Sequence, residues 1–78
     1  MKNKIRISEC ILSFRKERGL TQGEFGALLG VSAFAVSKWE REACYPDIFL
    51  LADISNIIGV SIDEMMGKDS GVSETNSI

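Results

Sequence analysis

The 78-residue chain contains no histidine, one proline and two cysteines. Two Cys without a His cannot supply the usual four-ligand zinc site, so no metal is expected. Cys10 and Cys44 read as small, buried or half-buried thiols in a reducing compartment rather than as a disulfide, with a thiol switch as the alternative. There is no Gly-rich phosphate loop and no Ser-elbow motif, and the carboxylates are scattered through caps and surface positions. Catalysis is therefore not expected, and neither a cofactor nor a small-molecule ligand is implied. No apolar run approaches the ~20 residues of a membrane span. The basic N-terminus is not followed by the long apolar stretch and small-residue cleavage site of a signal peptide. A cytoplasmic protein without membrane contact is expected.

Positive charge is also short overall: nine Lys and Arg stand against eleven Asp and Glu, for a net charge of −2. That balance argues against a strongly basic nucleic-acid binder, but the distribution is uneven. Residues 1–41 hold eight Lys/Arg and four Asp/Glu, a local +4, whereas residues 42–78 hold one Lys and seven Asp/Glu, a local −6. A local positive face, not whole-chain charge, attracts phosphate. The acidic second half predicts weaker non-specific DNA binding than a basic chain would show.

What the chain does have is apolar content, 45% of residues, ample for one small helical domain. A chain of this length buries only ~60% of its unfolded surface, so its stability is marginal and each cap and core contact counts. Three regions are expected: a basic lead over residues 1–6, a folded domain over residues 7–67 and a flexible tail over residues 68–78. The tail reading rests on its Ser, Gly, Asp, Glu and Thr content.

The organising stretch is residues 21–39. Thr21 followed three residues later by Glu24 makes a capping box. Phe25, Leu28 and Leu29 then give an apolar stripe at helical spacing, and Gly30 suits a helix end. Ser32 is a second N-cap, opening a helix through Val36 and Trp39 to about residue 41. Two short helices about one tight turn form the unit that lays its second helix in the DNA major groove.

The same residues carry a family resemblance. Leu20-Thr21-Gln22, Gly30-Val31-Ser32, Val36-Ser37-Lys38-Trp39-Glu40, Pro46-Asp47 and Gly59-Val60-Ser61-Ile62-Asp63-Glu64 together resemble the Cro/repressor-type (XRE) helix-turn-helix family. The match spans about residues 7–67 without an insertion. It implies an all-α, five-helix, lambda-repressor-like domain. It further implies a sequence-specific transcriptional regulator, expected to be a repressor, that binds double-stranded DNA as a homodimer on two half-sites. In such domains the residue at Gln22 touches phosphate, and Ala33, Phe34, Ser37 and Lys38 occupy the positions that meet base edges. Arg41 is placed to reach phosphate, and the caps Thr21 and Ser32 complete the candidate DNA-binding set. An Arg at the position of Arg15 pairs with a Glu at that of Glu40, a structural ion pair between the first and third helices.

The sequence departs from the family where readout would occur. Typical readers place Gln, Arg or Asn early in the third helix, because those side chains match base edges bidentately. Ala33 and Phe34 have no hydrogen-bonding side chain. They are left to pack on thymine methyls or to serve DNA shape. Alternatively, this face belongs to a protein-interaction module, an antirepressor or regulatory partner on the same fold. Leu12, Leu28, Phe34, Phe49 and Leu50 fall where the family pattern is usually polar, which suits that alternative if they form one patch.

The other elements follow from periodicity. The first helix runs from Ile7 or Ser8 to Arg18, with Ile7, Ile11 and Phe14 inward, Cys10 beside them and Gly19 closing it. Gly26, inside the second helix, implies a close approach by the third. After Arg41 no glycine is available, so the cap differs or the third helix runs longer, and Tyr45 is expected to cover the core. Asp47 caps a fourth helix with Ile48, Leu51, Ile54 and Ile58 inward. Ser61 and Glu64 form a second capping box, opening a short fifth helix that packs through Ile62, Met65 and Met66 on the first helix or on another subunit and ends at Gly67. A dimer is expected to use this helix, the exposed apolar positions, or both.

Overall fold

The computed structural model describes residues 5–67. Residues 1–4 of the basic lead and the tail over residues 68–78 lie outside the described residues. Five helices follow in order: α1 (Ile7–Arg18), α2 (Gln22–Leu29), α3 (Ala33–Glu40), α4 (Ile48–Ile58) and α5 (Ile62–Met65). The described residues contain no strand.

Side chains and glycines punctuate the chain. Thr21 Oγ1 accepts from Glu24 N–H at 3.0 Å while Thr21 N–H donates to Glu24 Oε1 at 2.9 Å, both halves of a capping box. Ser32 Oγ caps α3 by accepting from Ala35 N–H, and Asp47 Oδ1 caps α4 by accepting from Leu50 N–H. Ser61 caps α5 by accepting from Glu64 N–H; the reciprocal carboxylate bond expected of a second box is not formed. Gly19, Gly30 and Gly59 close α1, α2 and α4 in the left-handed conformation; after α5, Met66 is the C-cap and Gly67 follows at φ 87°, its N–H donating to the Glu64 carbonyl oxygen.

The core is Ile7, Ile11, Phe25, Val36, Trp39, Leu51, Ile54 and Met65, one or two residues from every helix. Phe14 joins it with an edge-to-face contact on Phe25, ring centroids 5.9 Å apart, a geometry that favours the aromatic quadrupoles. Arg6 N–H donates to Met65 carbonyl oxygen at 2.8 Å, which ties α5 to the start of α1.

Three packing expectations fail in the second half. Ile48, expected inward, is 63% exposed. The inward face of α4 is Leu51 and Ile54 with Leu50, Ile57 and Ile58 beside them. At 3.6 residues per turn this face turns away from Ile48, which stands on the helix's first, unpartnered turn. Leu50, expected exposed, is instead half-buried against the core. Tyr45, expected to cover the core, is exposed, and the residue beside it that is buried is Pro46. In α5 it is Met65 that packs into the core, with Met66 exposed next to it.

Gly26 has a steric cause. A Cβ there would meet the Val31 carbonyl oxygen at 2.6 Å and the Ser32 carbonyl oxygen at 3.1 Å. The close neighbour is thus the turn between α2 and α3 rather than the body of α3. That contact lets a helix-interior glycine repay its cost of about 1 kcal/mol relative to alanine.

Candidate nucleic-acid interface

α3 has two faces with opposite fates. Val36 and Trp39 are buried in the core, and Glu40 at its last turn is gripped from α1. Arg15 Nε donates to Glu40 Oε2 at 2.7 Å and Arg15 Nη2 donates to Glu40 Oε1 at 2.9 Å. This is the bidentate fork that fixes orientation as well as distance. Arg15 Nη1 donates to the Leu20 carbonyl oxygen at 2.9 Å, and Gln22 Nε2 donates to Glu40 Oε1 at 3.0 Å. One carboxylate therefore joins the end of α1, the start of α2 and the end of α3. The side chains of Arg15 and Glu40 are 16% and 9% exposed. Burial pushes the Glu40 carboxyl pKa up, but the bonds from Arg15 and Gln22, with the Arg15 charge, outweigh it and hold the pKa below the usual carboxylate range. The Arg15 pKa is raised by its hydrogen bond to Glu40.

The opposite face of α3 is open. Ala33, Phe34 and Arg41 are exposed, and Ser37 and Lys38 are half-buried beside them. Phe34 is 65% exposed, with Lys38 Nζ lying 4.8 Å from its ring centroid. Arg41 Nε donates to Ser37 Oγ at 3.3 Å. Thr21, Ser32, Ala33, Phe34, Ser37, Lys38 and Arg41 thus lie at the N-terminus of α2 and along α3. Gln22, taken as a phosphate contact, has its amide nitrogen engaged on Glu40.

Of the two endings left open for α3, a different cap is the one found. Glu40 is its last residue, Arg41 is the C-cap, and Glu42 takes the left-handed conformation at φ 63° that a glycine would occupy more readily. Glu42 N–H donates to the Trp39 carbonyl oxygen and Ala43 N–H to that of Lys38. The Glu42 side chain turns back to α1, where Ser8 Oγ donates to its Oε2 at 3.0 Å. The missing glycine after Arg41 was the available signal; the Ser8 partner, 34 residues away, left none.

The apolar positions flagged in the sequence do not all share one fate. Leu12, Leu28, Phe34 and Phe49 are exposed and Leu50 is not. Tyr45, Ile48 and Phe49 are each exposed around the start of α4, separate in sequence from α3. Cys10 is half-buried and Cys44 exposed, both as free thiols, and burial raises the Cys10 pKa. Among the described residues no cluster of His, Cys, Asp and Glu is arranged to hold a metal, and no helix is long and apolar enough to cross a membrane.

Comparison with known proteins gives this arrangement its kin. The chain is 36% identical over 65 residues to the HTH-type transcriptional activator BcrR of Enterococcus faecalis, covering 83% of this chain and 32% of that protein. It is 37% identical over 62 residues to the HTH-type transcriptional regulator ImmR of Bacillus subtilis (strain 168), covering 80% of this chain and 48% of that one. It thus spans about a third to a half of these relatives. Among solved structures it is similar to the P22 c2 repressor in complex with a synthetic operator, at a TM-score of 0.73 and 32% identity, covering 81% of this chain and 96% of that chain. The helix-turn-helix family model matches residues 11–65, a span running from Ile11 on α1 to Met65 on α5. The chain belongs to the helix-turn-helix family, of the Cro/repressor (XRE) type.

Proposed function

We propose that this domain is a transcriptional regulator that binds duplex DNA with α3 in the major groove. The observation that carries the reading is the division of α3: its inner face is fixed by Val36, Trp39 and the Arg15–Glu40 fork, while Ala33, Phe34, Ser37, Lys38 and Arg41 are left at the surface. A rigidly held helix with an unpartnered outer face is what major-groove docking requires. The similar P22 c2 repressor, seen with an operator, supports the same use.

On this reading Lys38 and the base-facing Ala33, Phe34 and Ser37 meet the groove, and Arg41 reaches phosphate from the C-terminal end of α3. Thr21 places the first N–H groups of α2 toward the backbone, where the helix dipole favours an anion. Gln22 acts chiefly by steadying Glu40. The chain works inside the cell, on DNA, and as a homodimer, since two-fold half-sites about one helical turn apart need two copies. Repression by occupancy is the expected effect at a site overlapping a promoter.

A second reading, a protein-binding module, draws support from the exposed Tyr45, Ile48 and Phe49. Selection from random duplex DNA at two salt concentrations separates the two. DNA binding predicts an enriched, two-fold symmetric motif whose affinity falls with salt, by a log–log slope of about 0.9 per phosphate neutralised. Lys38→Ala/Arg41→Ala should lower both the affinity and that slope. No enrichment would transfer the weight to a protein partner.

A further inference from the structure

The polar side chains around the outer face of α3 are largely occupied within the protein. Ser32 Oγ accepts from Ala35 N–H, Thr21 Oγ1 accepts from Glu24 N–H, Gln22 Nε2 is held by Glu40, and Arg41 Nε is bonded to Ser37 Oγ. No amide side chain stands on this face to read adenine bidentately. Arg41 uses one of its five N–H donors here, and the rest suit the phosphate contact proposed above. Along the base-facing part of the helix what stands out is Phe34, two-thirds exposed, and the Lys38 ammonium resting over its ring.

These two side chains are four residues apart and so lie on one helix face. The cation–π contact restrains an otherwise flexible lysine, and an ammonium seated on a ring still directs N–H donors away from it. An apolar ring edge and a fixed donor are thereby presented side by side. Their 4.8 Å separation is longer than one ~3.4 Å base step along a strand and shorter than two. The natural complements in the major groove are the thymine C5-methyl for the ring, and guanine O6 and N7 for the ammonium.

Resting on the DNA-binding reading above, we propose that Phe34 and Lys38 act as one specificity-determining unit. It reads a thymine beside a guanine in each half-site: the Phe34 ring packs on the thymine methyl while Lys38 donates to the guanine acceptors. Phe34 here both contacts the methyl and positions Lys38.

The test uses the full chain and the DNA motif it selects. Each thymine is replaced in turn by uracil, which removes only the methyl, and each guanine by 7-deazaguanine, which removes only the N7 acceptor. Wild type, Phe34→Ala and Lys38→Ala are compared, with circular dichroism to establish that both variants are folded. Wild type should lose about fourfold in affinity at one thymine, the worth of one buried methyl, and Phe34→Ala should show no loss there. The adjacent guanine replacement should weaken wild type, leave Lys38→Ala unaffected, and weaken Phe34→Ala less than wild type because the ammonium has lost its seat. Uracil penalties that persist unchanged in Phe34→Ala, or sensitive thymine and guanine positions that are not neighbours, would overturn the inference while leaving DNA binding standing. Failure to select any sequence would overturn DNA binding itself, and this inference with it.

Discussion

Arg15 and Glu40, 25 residues apart, are joined by two N–H···O bonds of 2.7 and 2.9 Å between the end of α1 and the end of α3. Glu40 follows Trp39, the largest core residue of α3, so the fork holds the helix at the residue next to its main anchor. Two attachments side by side set both the depth of α3 and its rotation, and rotation decides which residues face outward. Arg15→Ala should therefore weaken folding as well as any DNA contact. Removing one partner leaves a mostly buried carboxylate uncompensated, and about 3 kcal/mol is the expected loss of unfolding free energy. Arg15→Met/Glu40→Met should cost less than Arg15→Ala alone, since two apolar side chains leave no orphaned charge. Urea denaturation of the variants measures both. Equal stability of Arg15→Ala and wild type would deny the fork its role.

The same pair predicts an acid response. Glu40 has a folded-state pKa below its ordinary value of 4.5. The folded state then binds the proton less readily than the unfolded chain does. The stability this contributes is fully present above the ordinary value and is lost as pH falls from there through the depressed folded pKa. Arg15, with its pKa raised, stays charged throughout that window. Glu40→Gln should start less stable at neutral pH and show a shallower decline on acidification below about pH 4.5. Thermal midpoints measured from pH 7 to pH 3 compare the two; parallel curves would contradict the assignment.

Glu42 offers a separable test of backbone strain. A non-glycine residue in the left-handed region costs about 1 kcal/mol, and here the Ser8 hydroxyl at 3.0 Å offsets part of it. Glu42→Gly removes the strain and the bond together and leaves nearly buried Ser8 without its acceptor, so a change near zero is expected. Ser8→Ala/Glu42→Gly removes the orphaned hydroxyl as well, and should be about 1 kcal/mol more stable than wild type. Guanidinium midpoints with unchanged slopes would establish the order, the double variant above the other two.

Much of this architecture was legible because its signals are local. Thr21 with Glu24, Ser32, Asp47, Gly19, Gly30 and Gly59 each act within four residues of a helix end, and all five helices begin within a residue of their expected positions. The Arg15–Glu40 contact is long-range and was reachable only through the family resemblance. Gln22 was assigned to phosphate by that same resemblance, and nothing in its neighbourhood announces a partner 18 residues away. The bond between Ser8 and Glu42 was out of reach for the same reason. Lys38 over Phe34 had a local signal, the four-residue spacing, but periodicity marks a shared face and does not say that a cation settles on a ring.

The phase of α4 gives the sharpest comparison between pattern and packing. Ile48, Leu51, Ile54 and Ile58 satisfy a helical stripe equally well on paper. In the fold Ile54 is fully buried while Ile48 and Phe49 are 63% and 81% exposed. An apolar residue at a helix's first turn meets the core only if another element covers that turn, and here the chain arrives through Tyr45 and Pro46, of which only Pro46 is buried. Ile54→Ala should thus cost about 3 kcal/mol through lost transfer energy and a residual cavity. Ile48→Ala and Phe49→Ala should each stay within about 0.5 kcal/mol of wild type, as exposed positions do. Because the three substitutions share one helix and one product residue, the altered helix propensities are similar and the contrast reads burial. A loss at Ile48 as large as that at Ile54 would mean that α4 is rotated from the phase described, bringing Ile48 into the core and displacing Leu50, Ile57 or both to the surface.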